Sequence, residues 1–559
     1  MTDEHDAGGV AGIDQIRLEA LWTRFLSIAD EVGYSIARTG FSTVLRENHD
    51  YSVGIFDHHG NMLAQSSESA TGHIGAMPYL GREILRRFGP ADLSAGDVVI
   101  TNDPWIGCGH NNDLYAASPI YRGSSFVGMV VTSAHQMDIG GRMASPESRT
   151  VYEEGLLLPP LKMYVAGRPR KDIVDTIALN VRFAEKVLGD IRAQVAATHV
   201  GIERVLESMD MFGLQTLDGA AEAIIRTTER QMRDAIRTLP DGEYAGEADL
   251  EQRDDAGQPL RLVSRIVVRD GTVAIDFAGT SPQVSKPINC VLNYTRAYTV
   301  LGVKLAVAPF LPNNDGSYRP VEISAPVGSI LNARYPAACH WRHFVGLRIP
   351  DMLFSAFADA VPEKVLAESG ACPVWLFTVA GTRRDGRPFL LNAHAMGGLG
   401  ARPDRDGVSA VAFPPNVRDI PTEVIETETP LIVEERALRA GSGGAGTTRG
   451  GLGEEFRIRV PADGDIDPDR PVTFCVYPGR LHRAPAGVKG GEPGARGEVL
   501  INGVLVDGHQ EAVLSPGDVL TYRTPGGGGY GAPAGRRPEL RERDVVRGYL
   551  TAATEGGPG

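Results

Sequence analysis

The stretch NDPWIGCGHNNDLYAASPIYRGSSFVGMVVTSAHQMDIGG, residues 102–141, decides how the rest of the chain is read. LYAASPIY and FVGMVVTSA are apolar runs separated by RGSS, the pattern of two antiparallel strands joined by a short connection. Asp113 immediately precedes the first run and His135 immediately follows the second. Their midpoint falls on Ser124, inside the connection, and residues equidistant from a hairpin turn face each other across the ladder. Asp113 and His135 are therefore predicted to be cross-strand neighbours. His110 stands just before Asp113 in a loop made supple by Gly107 and Gly109, so two imidazoles and a carboxylate converge on one end of one hairpin.

Two histidines and an aspartate suit a catalytic divalent metal such as manganese, iron or zinc, and three protein ligands leave positions free for water and substrate. Such an ion polarises a carbonyl oxygen and acidifies a water. Asp138, close after His135, is a candidate fourth ligand, an orienter of a histidine, or the base for that water. The alternative is that these groups only satisfy the turns of a polar loop, and spacing alone does not separate the two. RENHDYS places Glu47, His49 and Asp50 at the mouth of an earlier hairpin, and HIGAMP sets His73 among small residues that permit close approach of a ligand. Of these, Asp50 and His73 are the ones expected to join the site and touch substrate. Cys108 lies inside the key loop without an activating arrangement and is read as a residue lining the pocket.

Outward from this stretch, residues 13–39 repeat apolar positions at helical steps from Leu18 to Ile36, with Asp14 as N-cap. YSVGIF, DHHG and NMLAQ form a hairpin from Tyr51, and a short helix is expected from Tyr79 to Phe88, ended by Gly89-Pro90. VVITND reads as a strand running into a loop. Asp172 to Gly213 is the longest helical region, with breaks expected at Gly189 and Gly201, and a further helix runs from Leu217 to Leu239. RLVSRIVV and TVAIDF then open a strand-rich section. Helices and strands in separate runs predict a multi-domain α+β protein. Residues 1–240 form a mixed helix and antiparallel hairpin region with the candidate metal site, 241–530 a strand-rich region, and 531–559 a loosely ordered tail. Composition favours a flexible linker for GSGGAGTTRGGLG, residues 441–453.

The 559 residues, 42% hydrophobic and 23% charged, are enough for a sizeable core and two to four structural units. A formal net charge of -14 argues against a nucleic-acid binder. Five scattered cysteines without a CxxC pair disfavour a disulfide framework or a zinc knuckle. The acidic start MTDEHDAGG lacks the features of a signal peptide, and no apolar run spans a bilayer, so a cytoplasmic enzyme without a membrane role is expected. PGGGGYG has no following Lys-Ser/Thr, no GxGxxG joins a strand to a helix, and no GxSxG is present. The chain therefore shows no nucleotide site of its own.

The chain resembles the hydantoinase B/oxoprolinase family. The resemblance rests on RENHDYSVGIFDHHGNMLAQ, HIGAMP, VVITNDPWIGCGHNNDLYAASPIY, SAHQMDIGG, YEEGLLLPPLK, DFAGTSPQV, LPNNDGSYRP, GGLGARPDRDG, the glycine run at 441–453 and TPGGGGYG, in the family's order from about Arg24 to about Gly531. It implies a separate hydantoinase A-like ATPase subunit that phosphorylates the oxygen of a small cyclic amide, and hence a hetero-oligomer in which ATP is used by the partner. It also implies a divalent metal, manganese or zinc, held at the positions matching His110, Asp113 and His135. Many relatives carry His-His where this chain has His135-Gln136, and a Thr or similar residue where it has Cys108-Gly109, which bears on the substrate pocket.

An amide resists attack because resonance occupies its carbonyl, and phosphorylation of the oxygen removes that protection. The expected function is hydrolysis of the activated ring, with Asp138 orienting the water or taking its proton. A ketone carboxylase built on the same site is the alternative within the family, and the moderate length of the chain fits the hydantoinase type better. A non-catalytic scaffold for the ATPase subunit is the alternative outside it.

Overall fold

The computed structural model describes residues 14–142 and 144–550; the expectations for the first residues and for the tail beyond 550 lie outside them. The fold is α+β, with an N-terminal helix-and-sheet region followed by a strand-rich one, as expected. Helix α1 (Gln15–Thr39) is capped by the Asp14 side chain, which accepts from the Arg17 N–H. It is followed by β1 (Tyr51–Asp57), β2 (Met62–Gln65), α2 (Thr71–Arg87), β3 (Val98–Thr101), β4 (Asp113–Arg122), β5 (Ser125–His135), β6 (Leu161–Val165) and β7 (Arg168–Pro169). These strands form one seven-stranded antiparallel sheet in the order β2-β1-β5-β4-β3-β6-β7.

Both faces of this sheet are covered, which is why β4 and β5 read as continuous apolar runs. Even-numbered residues such as Leu114, Ala116, Val130 and Ala134 pack under α1 and a long helix described below. Odd-numbered Tyr115, Ala117, Met129 and Val131 pack under α2. Helix α2 begins at Thr71, eight residues before the expected start, and runs through Pro78. Proline inside a helix removes one backbone bond, and burial of His73, Ile74, Met77 and Leu80 outweighs that local signal.

The expected long helical region is two helices, α3 (Lys171–Asn180) and α4 (Ala184–Phe212). The break is at 181–183, not at Gly189 or Gly201. Those glycines stay helical and serve close packing: a Cβ at Gly189 would lie 2.3 Å from the Phe41 ring, and one at Gly201 2.9 Å from Val32. Helix α5 (Asp218–Ile236) leads to β8 (Gly242–Arg253), β9 (Pro259–Arg269), β10 (Thr272–Asp276), α6 (Leu292–Val307) and β11 (Val321–Ser324). A four-stranded sheet in the order β11-β10-β9-β8 carries α6 and α7 (Arg348–Phe357) in one core, which also takes in Ala76 and Cys108 from the N-terminal region.

The last strands, β12 (Trp375–Thr382), β13 (Pro388–Ala395), β14 (Ile432–Leu438), β15 (Glu454–Arg459), β16 (Val472–Val476), β17 (Glu498–Ile501), β18 (Val504–Leu505), β19 (Ala512–Leu514) and β20 (Val519–Arg523), make two sheets. Their orders are β13-β12-β16-β19 and β14-β15-β20-β17-β18. Trp375, Phe377, Phe456, Phe474 and Tyr522 fill the space between them. The glycine run at 441–453 is no free linker. Gly444 N–H donates to Gly527 O, Gly451 N–H to Leu399 O and Gly527 N–H to Gly451 O, so three distant segments lie backbone against backbone. Helix α8 (Pro538–Val546) closes the described chain, anchored by buried Asp544 on Arg536. No helix among the described residues is long and apolar enough to cross a membrane.

Candidate metal centre

Asp113 and His135 are cross-strand partners, as the hairpin reading requires. The turn itself is Gly123-Ser124, and counted from it alone Asp113 would face Ala134. A register shift between Ile120 and Tyr121 leaves Val127 as an extra residue and restores the pairing Asp113↔His135. Without that bulge His135 would turn to the opposite face of the sheet. On the other side of β5, β1 pairs Tyr51 with Ala134, and the His135 N–H donates to Asp50 O. Asp50, His135 and Asp113 thus form one row across three strands, on the face covered by α2. His73, the third residue of α2, comes down onto that row.

Three imidazole nitrogens surround one carboxylate oxygen. Asp113 Oδ1 lies 3.0 Å from His73 Nε2, 2.6 Å from His110 Nε2 and 3.1 Å from His135 Nδ1. Asp50 stands behind, 3.7 Å from His73 and 3.9 Å from His135. All of these side chains except that of Asp50 are 5% exposed or less, so they form a buried cluster and not a solvent-facing one. His110, Asp113 and His135 have ligand atoms close enough to share one ion, and so do His73, Cys108 and Asp113.

The tautomer of His110 speaks for a cation at this point. Its Nδ1 is 3.3 Å from the carbonyl oxygen of His340, which can only accept, so Nδ1 carries the proton. Nε2 is then a lone pair, buried, without hydrogen-bond geometry to any partner although Asp113 Oδ1 is only 2.6 Å away. A lone pair set against a carboxylate oxygen is repelled by it, and an ion ligated by both removes the repulsion. The His340 carbonyl is itself positioned by Glu154, which accepts from the N–H groups of Cys339 and His340 at 2.8 and 2.7 Å. Burial raises the Glu154 carboxyl to about 8, against the pull of those two donors.

The other oxygen of Asp113 is occupied by protein. Arg342 Nη2 donates to Oδ2 at 2.6 Å, and its guanidinium lies 4.5 Å over the Tyr294 ring. Burial would raise the Asp113 carboxyl, and the charges of His73 and Arg342 beside it pull it the other way, below the usual range. Burial likewise opposes a charge on His73, and Asp113 and Asp50 outweigh it, moving that imidazole up. His110 goes well below its ordinary value through burial and the nearby guanidinium.

Two expected site residues are placed elsewhere. Cys108 does not line the cavity; its thiol donates to Asp113 Oδ2 from behind, and burial pushes it up, so it stays protonated. Asp138 does not face the three histidines. Oδ1 accepts from Gly140 N–H and Arg182 Nη1, and Oδ2 from the Arg182 and Phe183 N–H groups. Four donors fill the roughly four lone-pair sites of a carboxylate, so Asp138 ties down the break between α3 and α4 rather than serving a water. Asp138→Ala is expected to lower the melting temperature by leaving those backbone groups without their partner, while divalent metal bound per chain, measured by elemental analysis, stays at the parent level.

The small residues around His73 admit a helix and not a ligand: a Cβ at Gly75 would lie 2.3 Å from that of Ala297 on α6. The far wall of the cavity was not anticipated from sequence. Arg342 and His343 come from HWRHF, His394 from the end of β13 where it pairs with Leu376 of β12, and Tyr294 and Tyr298 from α6. His343 Nε2 and His394 Nδ1 are buried without a partner. Burial, then Arg342, takes His343 well below its ordinary value, and burial takes His394 to about 4, so both are neutral. The two histidines and arginine in HWRHF were a readable signal; a single His in β13 was not.

The chain matches the family model described as hydantoinase B/oxoprolinase over residues 14–533. It is 32% identical to the B-type component of a putative D-/L-hydantoinase of Pseudomonas sp. (strain NS671), covering 96% of this chain and 93% of that protein. The structure is similar to the crystal structure of ATP-dependent caprolactamase from Pseudomonas jessenii, with a TM-score of 0.87 at 25% identity over 97% of this chain and 95% of that one. It also shares the fold of acetone carboxylase in its nucleotide-free structure, with a TM-score of 0.86 at 19% identity over 97% of this chain and 78% of the other. The antiparallel sheet, the buried histidine and aspartate group and a match that spans nearly the whole sequence agree: the chain belongs to the hydantoinase B/oxoprolinase family.

Proposed function

We propose that this chain is the hydrolytic, B-type subunit of an ATP-dependent enzyme that opens small cyclic amides, working with a hydantoinase A-like subunit that phosphorylates the amide oxygen. The observation that carries it is the meeting of His73, His110 and His135 on Asp113 Oδ1, with His110 locked as a lone-pair donor. The family match and the relative named as one component of a hydantoinase support the pairing. Absence of a nucleotide motif from the sequence supports ATP use by the partner.

His110, Asp113 and His135 would hold a divalent ion, manganese or zinc, with His73 and Asp50 beside them. When bound, such an ion polarises a carbonyl oxygen and acidifies a water. The protein's own groups do the rest. Arg342 holds Asp113 Oδ2, so that Oδ1 is the oxygen left to the three histidines. The rings of Tyr294 and Tyr298, with Val374 and Leu376, keep bulk water from the wall opposite the ligands. His343 and His394 present unpaired nitrogens into the same space and can take a proton from water or deliver one to the departing ring nitrogen. A first water adds to the phosphorylated amide carbon, and the carbon–nitrogen bond breaks as nitrogen gains a proton. A second water then releases phosphate, leaving the ring-opened acid.

The test mixes purified chain, its ATPase partner, ATP and a panel of hydantoin, 5-oxoproline and caprolactam, and follows the ring-opened acid. His135→Ala should bind less than stoichiometric metal and lose more than about 100-fold of turnover, beyond the effect of removing a mere supporting partner. Parent-level turnover in that variant would sink the assignment. The likeness to acetone carboxylase is one of fold, so it does not favour carboxylation; turnover of a ketone only with bicarbonate would. A protein that retains no metal and supports no turnover with any of these substrates would be a scaffold.

A further inference from the structure

The cavity bounded by His110, His135, His343 and His394 has a volume of about 70 Å³, which holds a few waters. Beside it lies a second cavity of about 430 Å³, within the size range of small-molecule sites, roughly 300–1,000 Å³. The two share a wall. Along the strap at 411–417, Pro415 and Val417 face the small cavity while Pro414 and Asn416 face the large one. Helix α6 divides in the same way, with Tyr298 on one side and Leu301 on the other.

Lys304, one turn beyond Leu301 on α6, is the cation of the larger cavity. It is 6% exposed, and its Nζ donates to two neutral acceptors, the Leu311 carbonyl and Asn313 Oδ1. Among the described residues no carboxylate acts on it: burial is the cause that lowers its pKa, to about 8. A buried ammonium without a counter-charge is unfavourable by itself, and an anion that enters with it removes the penalty. Apolar walls from Ile74, Val300 and Leu305 strengthen that attraction by keeping the local dielectric low. We propose that this cavity binds a small organic or inorganic oxyanion, a carboxylate or a phosphate, with its negative charge on Lys304. The site stands on these residues alone and does not depend on the reaction assigned to the neighbouring histidines.

Full-length parent protein is titrated calorimetrically with inorganic phosphate and, separately, with pentanoate, and its thermal midpoint is followed in each. Heat and a raised midpoint with one anion identify the source of the charge, phosphate or carboxylic acid; the same with both assigns a site for either. Lys304→Met should weaken binding at least tenfold, while its own midpoint without anion stays at or above that of the parent, because an uncompensated buried charge has gone. Absence of heat and of any shift with both anions in the parent protein would overturn the proposal. So would a Lys304→Met chain that melts well below the parent, which would make the lysine a brace for the 308–314 loop at the C-terminal end of α6.

Discussion

Asp113→Asn is expected to be the most damaging conservative substitution in the chain. The amide keeps the shape of the carboxylate but abolishes its charge, and four side chains depend on that charge. Oδ1 is the point on which His73, His110 and His135 converge, so metal content should fall to background and turnover by more than about 100-fold. Oδ2 is the carboxylate partner of Arg342, whose side chain is only 6% exposed. Removing one member of a buried ion pair leaves the other charge uncompensated, at about 3–5 kcal/mol. The double variant Asp113→Asn/Arg342→Met separates the two roles. It removes both charges, so the unfolding free energy should recover toward the parent value while metal binding and turnover stay lost. Recovery of metal binding in the double variant would show that the carboxylate is no ligand.

Gly527→Ala should be nearly as severe for folding, although it lies in no catalytic segment. A methyl group there would sit 2.1 Å from the Leu399 carbonyl oxygen and 2.4 Å from its carbon, both backbone atoms that cannot step aside. The Gly527 N–H and carbonyl also bond to Gly451 and Gly444, so relief by movement would break the layer that joins three segments. The loss should exceed about 4 kcal/mol, seen as insoluble chain or a melting transition far below the parent. Gly503→Ala is the matched control. Gly503 has φ +77 but nothing within 4 Å of an added Cβ, so it should lose only about 1 kcal/mol through backbone strain. Equal effects at the two positions would refute close packing as the cause.

The hairpin was legible because its alternation and spacing are local. The midpoint rule located Asp113 opposite His135, yet it did so with a three-way balance it could not see: a two-residue turn, one extra residue at Val127, and the resulting register. Parity along β4 and β5 then fixes which face the two side chains share. The glycines misled wherever their purpose was non-local. Gly189 and Gly201 look like helix breaks but make room for Phe41 and for Val32, contributed by distant segments. The run at 441–453 looks flexible because its partners, near Leu399 and Gly527, lie far away in sequence. Asp138 was misplaced for the same reason: proximity to His135 along the chain says nothing of Arg182, which claims it.

The row Asp50, His135 and Asp113, with His73 and His110, is encoded entirely before residue 140, whereas the surface facing it comes from residues beyond 290. On the proposed reading, the groups that would hold a cation and the wall that would meet an organic molecule therefore occupy different stretches of the chain. Exchanging the later stretch between homologous chains can retune which molecule is accepted, provided His340 and Arg342, which hold His110 and Asp113 from that side, are kept. One sheet could in this way serve a diverse set of compounds.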